Sequence, residues 1–483
     1  MTPSDRLVMI GIDAGDLGLI RAMLDELPHL RSFLAEAELS ELTSPADVLT
    51  SAVWPTFATG LPPGEHGIYY PMQWDPSTMR LRRVAGDWIR FEPFWYALAR
   101  RGLRATVLDV PFSLPSRLGD DGVEVVNWGS QESLGGFGSN RRDVAAAVRQ
   151  RFGRHPMGAD VPVEASAARL ARAGRDLAEG AARKGALARW LMAETDHRLF
   201  VTVFAECHRA GHLLWPAGGD LARASGHEPL RAVYRAVDTA IGELIAAAAK
   251  DATIVVFSAH GIGRNDTQEH FVPAVVERAV AAFRGQPFDT AAGSAGRGPI
   301  AGLRAVLPPS LQRGLATALP AALRDAVVRR QFTGGLDWQR TPGFVLPGSC
   351  ESYLRFNLAG REARGVLDAE GREDFDRLLD AELRALTTAD GRAVVAAVVD
   401  CARHYPGART HLLPDRVIRW RDEPPADELR SPRLGAFRAR LTTGRTGDHR
   451  AGGFALTRPA RRSRTVPLRD IADLATLAQD LLA

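Results

Sequence analysis

Residues 198–212 read RLFVTVFAECHRAGH. The first half, Leu199 to Phe204, is a continuous run of apolar, strand-forming residues, the pattern of a strand covered on both faces. The second half sets His208 and His212 four residues apart, with Glu206 and Cys207 beside them. A buried strand that runs straight into metal-capable side chains predicts a sheet whose strand ends carry the chemistry. In open α/β sheets the crevice beyond the carboxyl ends of the strands is where ligands bind.

The same signature recurs along the chain. Leu7 to Ile12 (LVMIGI) is a short apolar run ending at Asp13, and Thr253 to Phe257 (TIVVF) is followed by SAHGIGRND with His260. Ala105 to Val110 and Val123 to Val126 read as further strands. Between them lie segments of helical spacing: Leu17 to Leu34, Val144 to Trp190, and LRAVYRAVDTAIGELIAAAAK from Leu230. Strands alternating with helices predict a three-layer α/β/α architecture around a mainly parallel sheet. After His270 the texture changes to a Gly/Ala/Ser-rich loop over 285–297 and proline-broken short helices over 307–332. The expected organisation is a single domain over 1–483, with an insertion or lid over 271–340 and a late subdomain over 344–425.

The chain has 483 residues, 45% apolar and 24% charged, a globular composition with ample length for a core. The formal charge is +4, and the basic residues are almost all arginine, with lysine only at Lys184 and Lys250. Interleaving of the arginines with acids argues against a nucleic-acid polymer as partner. Three scattered cysteines form no disulfide framework. No signal-peptide pattern and no apolar run of spanning length is seen, so the expectation is a cytoplasmic protein without a membrane partner.

A fourth histidine, His449, sits in the glycine-rich TGDHRAGG. A fifth spot, LTSAVWPTFATGLPPGEHGI over 49–68, offers the hydroxyls of Thr50 and Ser51 just before a predicted helix, whose N-terminus favours an anion. A hydroxyl needs a base or a metal to act as a nucleophile at neutral pH. His66 in this block reads as a structural turn residue, and Arg361 with Glu362 as an ion pair bracing the late subdomain. Tyr69, Tyr70 and Trp74 read as packing, with stacking on a base or sugar as the alternative.

The order and wording of MIGIDAGD, LTSAVWPTFATGLPPGEHGI, ECHRAGH, FSAHG and TGDHRAGG resemble the alkaline phosphatase superfamily, in its type I phosphodiesterase/nucleotide pyrophosphatase branch. FNLAGREARGVL and LPDRVIRW resemble a recurrent part of bacterial members. The resemblance implies an alkaline-phosphatase-like fold with two divalent metal ions, usually zinc, with manganese or magnesium as alternatives. It implies a hydrolase of small phosphoric esters, diester or monoester, acting through a covalent threonine intermediate.

Carried over by position, Thr50 falls on the nucleophile and Asp13 on the first aspartate ligand. His212 falls on the histidine of the DxxxH pair, His449 on the late histidine of the same metal, and His260 on the histidine of the Asp-His pair. Two positions depart: His208 stands where DxxxH has aspartate, and Ala259 where the Asp-His pair has aspartate. Glu206, two residues before His208 on an extended strand end, is the expected replacement carboxylate. Without it, two divalent ions facing Asp13 and a Thr50 alkoxide leave the site at about +2, and with it at about +1. The competing readings are a catalytically silent metal-binding or regulatory protein, or a phosphomutase or sulfatase. A sulfatase is disfavoured because no CxPSR-like string is present.

Overall fold

The computed structural model describes residues 6–85, 88–89, 91–114, 116–130, 134–158, 166–288, 321–348, 351–460 and 467–482. The chain divides into two compact units, one formed by 1–62, 85–264 and 445–483, the other by 63–84 and 265–444. The second unit is wider than the late subdomain expected over 344–425, and it takes in the segment at 63–84. Of the insertion or lid expected over 271–340, residues 289–320 lie outside the described residues.

The first unit is built on an eight-stranded sheet. In chain order its strands are β1 (Arg6–Ile12), β2 (Glu38–Leu42), β3 (Ala105–Leu108), β4 (Gly122–Val126), β5 (Gly138–Ser139), β6 (Leu199–Phe204), β7 (Ala252–Ser258) and, after β8 (Gly261–Arg264) and β9 (Gly447–Arg450), β10 (Gly453–Arg458). Across the sheet they lie in the order β2-β10-β7-β1-β6-β3-β4-β5. The five strands from β7 to β4 run parallel, while β10 and β5 are antiparallel to their neighbours. β8 and β9 form a separate antiparallel pair.

Every residue of β6 and β7 is buried, as a strand covered on both faces requires. The covering helices include α1 (Val53–Thr59), α2 (Ala167–Glu194), α3 (Glu206–Leu214) and α4 (Glu228–Ala247). The helix expected over 17–34 is broken, because Pro28 opens a new helix, Pro28–Glu36, after a short 3-10 turn. No helix among the described residues is long and apolar enough to cross a membrane.

The register levels the strand ends. Ile12 of β1 pairs with Phe204 of β6, and Gly11 pairs with Phe257 of β7. Asp13, the start of α3 and His260 therefore leave three adjacent parallel strands at the same edge.

The second unit holds a four-stranded antiparallel sheet (Gly343–Leu346, Ser352–Phe356, Arg416–Trp420 and Val395–Asp400), a three-stranded sheet and a hairpin, Met72–Asp75 with Arg80–Arg83. Its core gathers Phe271, Val275, Leu354, Phe356, Phe375 and Leu379.

Candidate metal centre

Two groups of side chains in the first unit place one ligand atom each within 4.8 Å of the others: His208, His212 and His449, and Asp13, His208 and His260. Asp13, His208, His212 and His260 are buried, and the side chain of His449 is only 5% exposed. They come from four separate stretches of the chain and meet at one end of the sheet.

α3 begins two residues after β6, so His208 and His212 project from one face of its first turns, as four-residue spacing on a helix requires. The helix lies directly against β9. A Cβ on Gly447 would fall 2.1 Å from the carbonyl oxygen of Gly211, so only glycine allows this approach. The approach brings Gly447 O to 2.8 Å from His212 Nδ1. The carbonyl can only accept, so His212 holds its proton on Nδ1 and turns a lone pair outward from Nε2.

Within the glycine-rich TGDHRAGG, Gly447–Arg450 forms the strand β9, because it pairs antiparallel with Gly261–Arg264. That pairing sets His449 beside the helix histidines. The Nε2 atoms of His208, His212 and His449 form a triangle with separations of 2.9, 3.1 and 3.0 Å. Burial, together with Arg445 and the neighbouring histidines, pushes His212 well below the ordinary histidine range. Burial does the same to His449, with His208, His260 and Arg445 adding to it. Neutral rings are the form that binds a cation.

His208 Nδ1 lies 2.7 Å from Asp13 Oδ2. Asp13 Oδ1 accepts from the Trp54 indole at 3.0 Å and lies 3.4 Å from His260 Nε2. Burial would raise the Asp13 carboxyl, but His208 and His260 outweigh it and hold the group well below the carboxylate range. His260 Nδ1 lies 3.0 Å from Gly261 O, which leaves Nε2 as the ring atom on the side of the carboxylate. The Ser258 hydroxyl accepts from Gly15 N and donates to His260 O, both at 2.9 Å, and so ties the loop after β1 to the loop after β7. Ala14, next to Asp13, is held at φ 53°, a left-handed conformation that costs a non-glycine residue.

Thr50 and Ser51 are buried in a 3-10 turn, Thr50–Ala52, that leads into α1. The Thr50 hydroxyl lies 3.3 Å from Ala46 O. The helix behind it has only seven residues, so the anion-binding N-terminus expected there is not developed. Its second residue is Trp54, the donor to Asp13. Sequence reasoning missed Trp54, although its place four residues after Thr50 was visible.

Glu206 is in neither ligand group and requires a correction. It was expected to share a side with His208 on an extended strand end, but residue 206 is already helical. Two residues on a helix diverge by about 200°. Its carboxylate points instead into a buried ion cluster that the sequence did not reveal. Glu206 Oε1 lies 3.2 Å from Lys184 Nζ and 3.1 Å from His155 Nε2, and Lys184 Nζ lies 2.9 Å from Asp109 Oδ2. Lys184 also donates to Val203 O at 3.1 Å. Asp109 accepts from Trp128 N at 2.8 Å and from Gly129 N at 2.7 Å. Burial would raise Glu206, but Lys184 and His155 hold it at about 2. Burial would lower Lys184, but Asp109 and Glu206 outweigh it and raise it. Cys207, between Glu206 and His208, is packed in the core, and burial raises its thiol well above the ordinary range.

The remaining candidates lie in the second unit and take structural roles. His66 Nδ1 accepts from Ile68 N at 3.0 Å, closing a turn. Arg361 pairs with Glu362 at 2.9 Å and with Asp415 at 2.6 Å. Tyr69 packs edge-on against Tyr353, and Trp74 against Phe344 and Trp338; both are fully buried.

Comparison with known proteins follows this geometry. The model of the family described as type I phosphodiesterase / nucleotide pyrophosphatase matches residues 7–293. Among solved structures, phosphonoacetate hydrolase from Sinorhizobium meliloti 1021 in complex with phosphonoformate aligns with a TM-score of 0.55 at 16% identity, covering 100% of this chain and 96% of the other. Its complex with phosphonoacetate gives 0.54 at 14% over the same shares. A murine ectonucleotide pyrophosphatase/phosphodiesterase 5 in complex with AMP gives 0.48 at 11%, covering 99% and 95%. At 16% and 14% identity the likeness to the two phosphonoacetate hydrolase complexes establishes the alkaline-phosphatase-like fold and nothing further. No curated protein matches the chain.

Proposed function

The chain belongs to the type I phosphodiesterase/nucleotide pyrophosphatase family, and from that premise we propose a cytoplasmic, metal-assisted hydrolase of small phosphoric esters with Thr50 as nucleophile. The observation that carries the reading is the convergence of Asp13, His208, His212, His260 and His449 at one sheet edge, with ring nitrogens turned toward one another.

The donor set fits a divalent ion. His212 turns a lone pair into the triangle because its other nitrogen donates to Gly447 O, and neutral imidazoles suit zinc. When bound, the ion supplies Lewis-acid charge that lowers the pKa of a hydroxyl and stabilises a departing oxygen. The Thr50 oxygen attacks phosphorus, and a threonine phosphoester forms as the bond to the leaving oxygen breaks. Water then cleaves that ester, releasing the phosphoryl group and returning the Thr50 hydroxyl. Asp13, held by Trp54 and His208, keeps its carboxylate fixed beside the site.

The test is hydrolysis of p-nitrophenyl and bis-p-nitrophenyl phosphate, with activity lost to chelator and restored by zinc. Thr50→Ala is expected to abolish turnover and leave bound metal unchanged. Near-normal turnover by that variant excludes Thr50 as nucleophile and moves the assignment to Ser51. Full metal content with no turnover on a broad ester panel favours the silent metal-binding protein.

A further inference from the structure

The two groups of candidate ligands share one residue, His208. His212 Nδ1 faces Gly447 O at 2.8 Å, and His208 Nδ1 faces Asp13 Oδ2 at 2.7 Å. Each of those Nδ1 atoms faces an oxygen, so Nε2 is the atom that each ring turns into the cluster. These two Nε2 atoms face each other at 2.9 Å, with His449 Nε2 at 3.1 and 3.0 Å. A cation accepting from all three resolves the triangle.

The Asp13 side of the cluster is poorer. One oxygen of Asp13 accepts from Trp54, the other accepts from His208, and His260 is the other ring beside it. The position preceding His260 is Ala259, fully buried and without a donor, and Glu206 is committed to Lys184 and His155. His208 cannot donate through Nδ1 to Asp13 and ligate a second ion with the same atom.

We infer that the chain keeps one resident divalent ion, at the Nε2 atoms of His208, His212 and His449, and that Asp13 is a positioning residue acting on it through His208. This rests on the reading of the cluster as the metal site. The arrangement is a carboxylate–histidine–metal chain, in which the carboxylate fixes the tautomer and raises the basicity of the ligand. Three neutral nitrogen donors select zinc over magnesium or manganese.

The test counts ions on the full chain. Metal-stripped protein is titrated with zinc by calorimetry, and loaded protein is weighed by native mass spectrometry, with circular dichroism as the check on folding. One zinc per chain is expected, lost in a folded His449→Ala variant. Asp13→Asn should still bind one zinc, with affinity reduced about 10- to 100-fold. Ala259→Asp should raise the count to two.

Cobalt loading should give a single four-coordinate spectrum. Two zinc ions of similar affinity in the natural chain, or none, overturn the inference, as does complete loss of the ion in folded Asp13→Asn. One ion without ester hydrolysis overturns the proposed activity and leaves this inference standing, while hydrolysis with two ions does the reverse.

Discussion

Replacing Lys184 by methionine tests the buried ion cluster that holds the first turn of α3. Lys184, Asp109 and Glu206 have side chains with no exposed surface, and one ammonium faces two carboxylates at 2.9 and 3.2 Å. After the substitution Asp109 keeps its two backbone N–H donors, but Glu206 keeps only His155, and its second oxygen is buried without a partner. Breaking a buried pair by removing one partner costs about 3–5 kcal/mol. Against a whole-protein stability of about 5–15 kcal/mol this is a large fraction.

Urea unfolding of the metal-stripped chain, followed by circular dichroism, measures the loss without a contribution from bound metal. The Lys184→Met, Glu206→Gln double variant should be more stable than the sum of the two single losses by at least about 1 kcal/mol, because it removes the stranded charge. The pH dependence has a definite sign. Glu206 is held at about 2, below the ordinary carboxylate value of about 4.3. Its contribution is therefore complete above that ordinary value and lost as pH falls toward about 2. The gap between wild type and Lys184→Met should narrow over that window. A Lys184→Met midpoint equal to that of wild type at neutral pH refutes the claim that the ammonium compensates the two carboxylates.

Two further perturbations follow from the geometry. Gly447→Ala places a methyl 2.1 Å from Gly211 O and pushes Gly447 O away from His212. It should lower stability by about 1–3 kcal/mol and weaken zinc about 10- to 100-fold, and unchanged affinity in calorimetry counts against the proposed role of the carbonyl. Burial, with Arg409 adding, holds His66 neutral down to about 3, so the unfolded chain takes up the proton first. Stability should therefore fall as pH drops from about 6.5 toward about 3, by up to about 1.4 kcal/mol per pH unit. His66→Asn can keep the acceptor for Ile68 N and should remove that share of the slope; equal slopes in acid titrations of the two proteins rule out the assignment.

The five parallel strands of the first unit were legible because burial on both faces leaves continuous apolar runs, as in Leu199–Phe204, whereas β2, β5, β8, β9 and β10 carry no such run and were not read. The residues that meet at the sheet edge were legible as candidates because each follows such a run or stands in a short motif of fixed order. Lys184 was not legible. It sits inside the 28-residue helix α2, where alternating alanine and arginine hide which face is buried. Its one signal was rarity, since it is one of only two lysines in an arginine-rich chain. Asp109 and His155 join it through contacts spanning 75 and 51 residues or more, which no local pattern records. Glu206 was misread because the strand was extended two residues too far, and on a helix the same spacing reverses the face.

The two departures from the family pattern make physical sense together. An aspartate in place of His208 would set a second carboxylate beside Asp13, and such a pair needs a cation to hold it. Histidine there donates an N–H to Asp13 at 2.7 Å, and Trp54 donates another at 3.0 Å. The buried carboxylate is then stabilised by hydrogen bonds, without an ion of its own. Ala259, buried on the same side, brings no carboxylate there, so a one-ion centre leaves no unpaired charge at that position. With one ion and neutral histidines, Asp13 leaves the centre at about +1, whereas two ions would leave it at about +3 before any anion arrives. Either substitution alone would unbalance a two-ion site, and together they convert it into a centre that one ion completes.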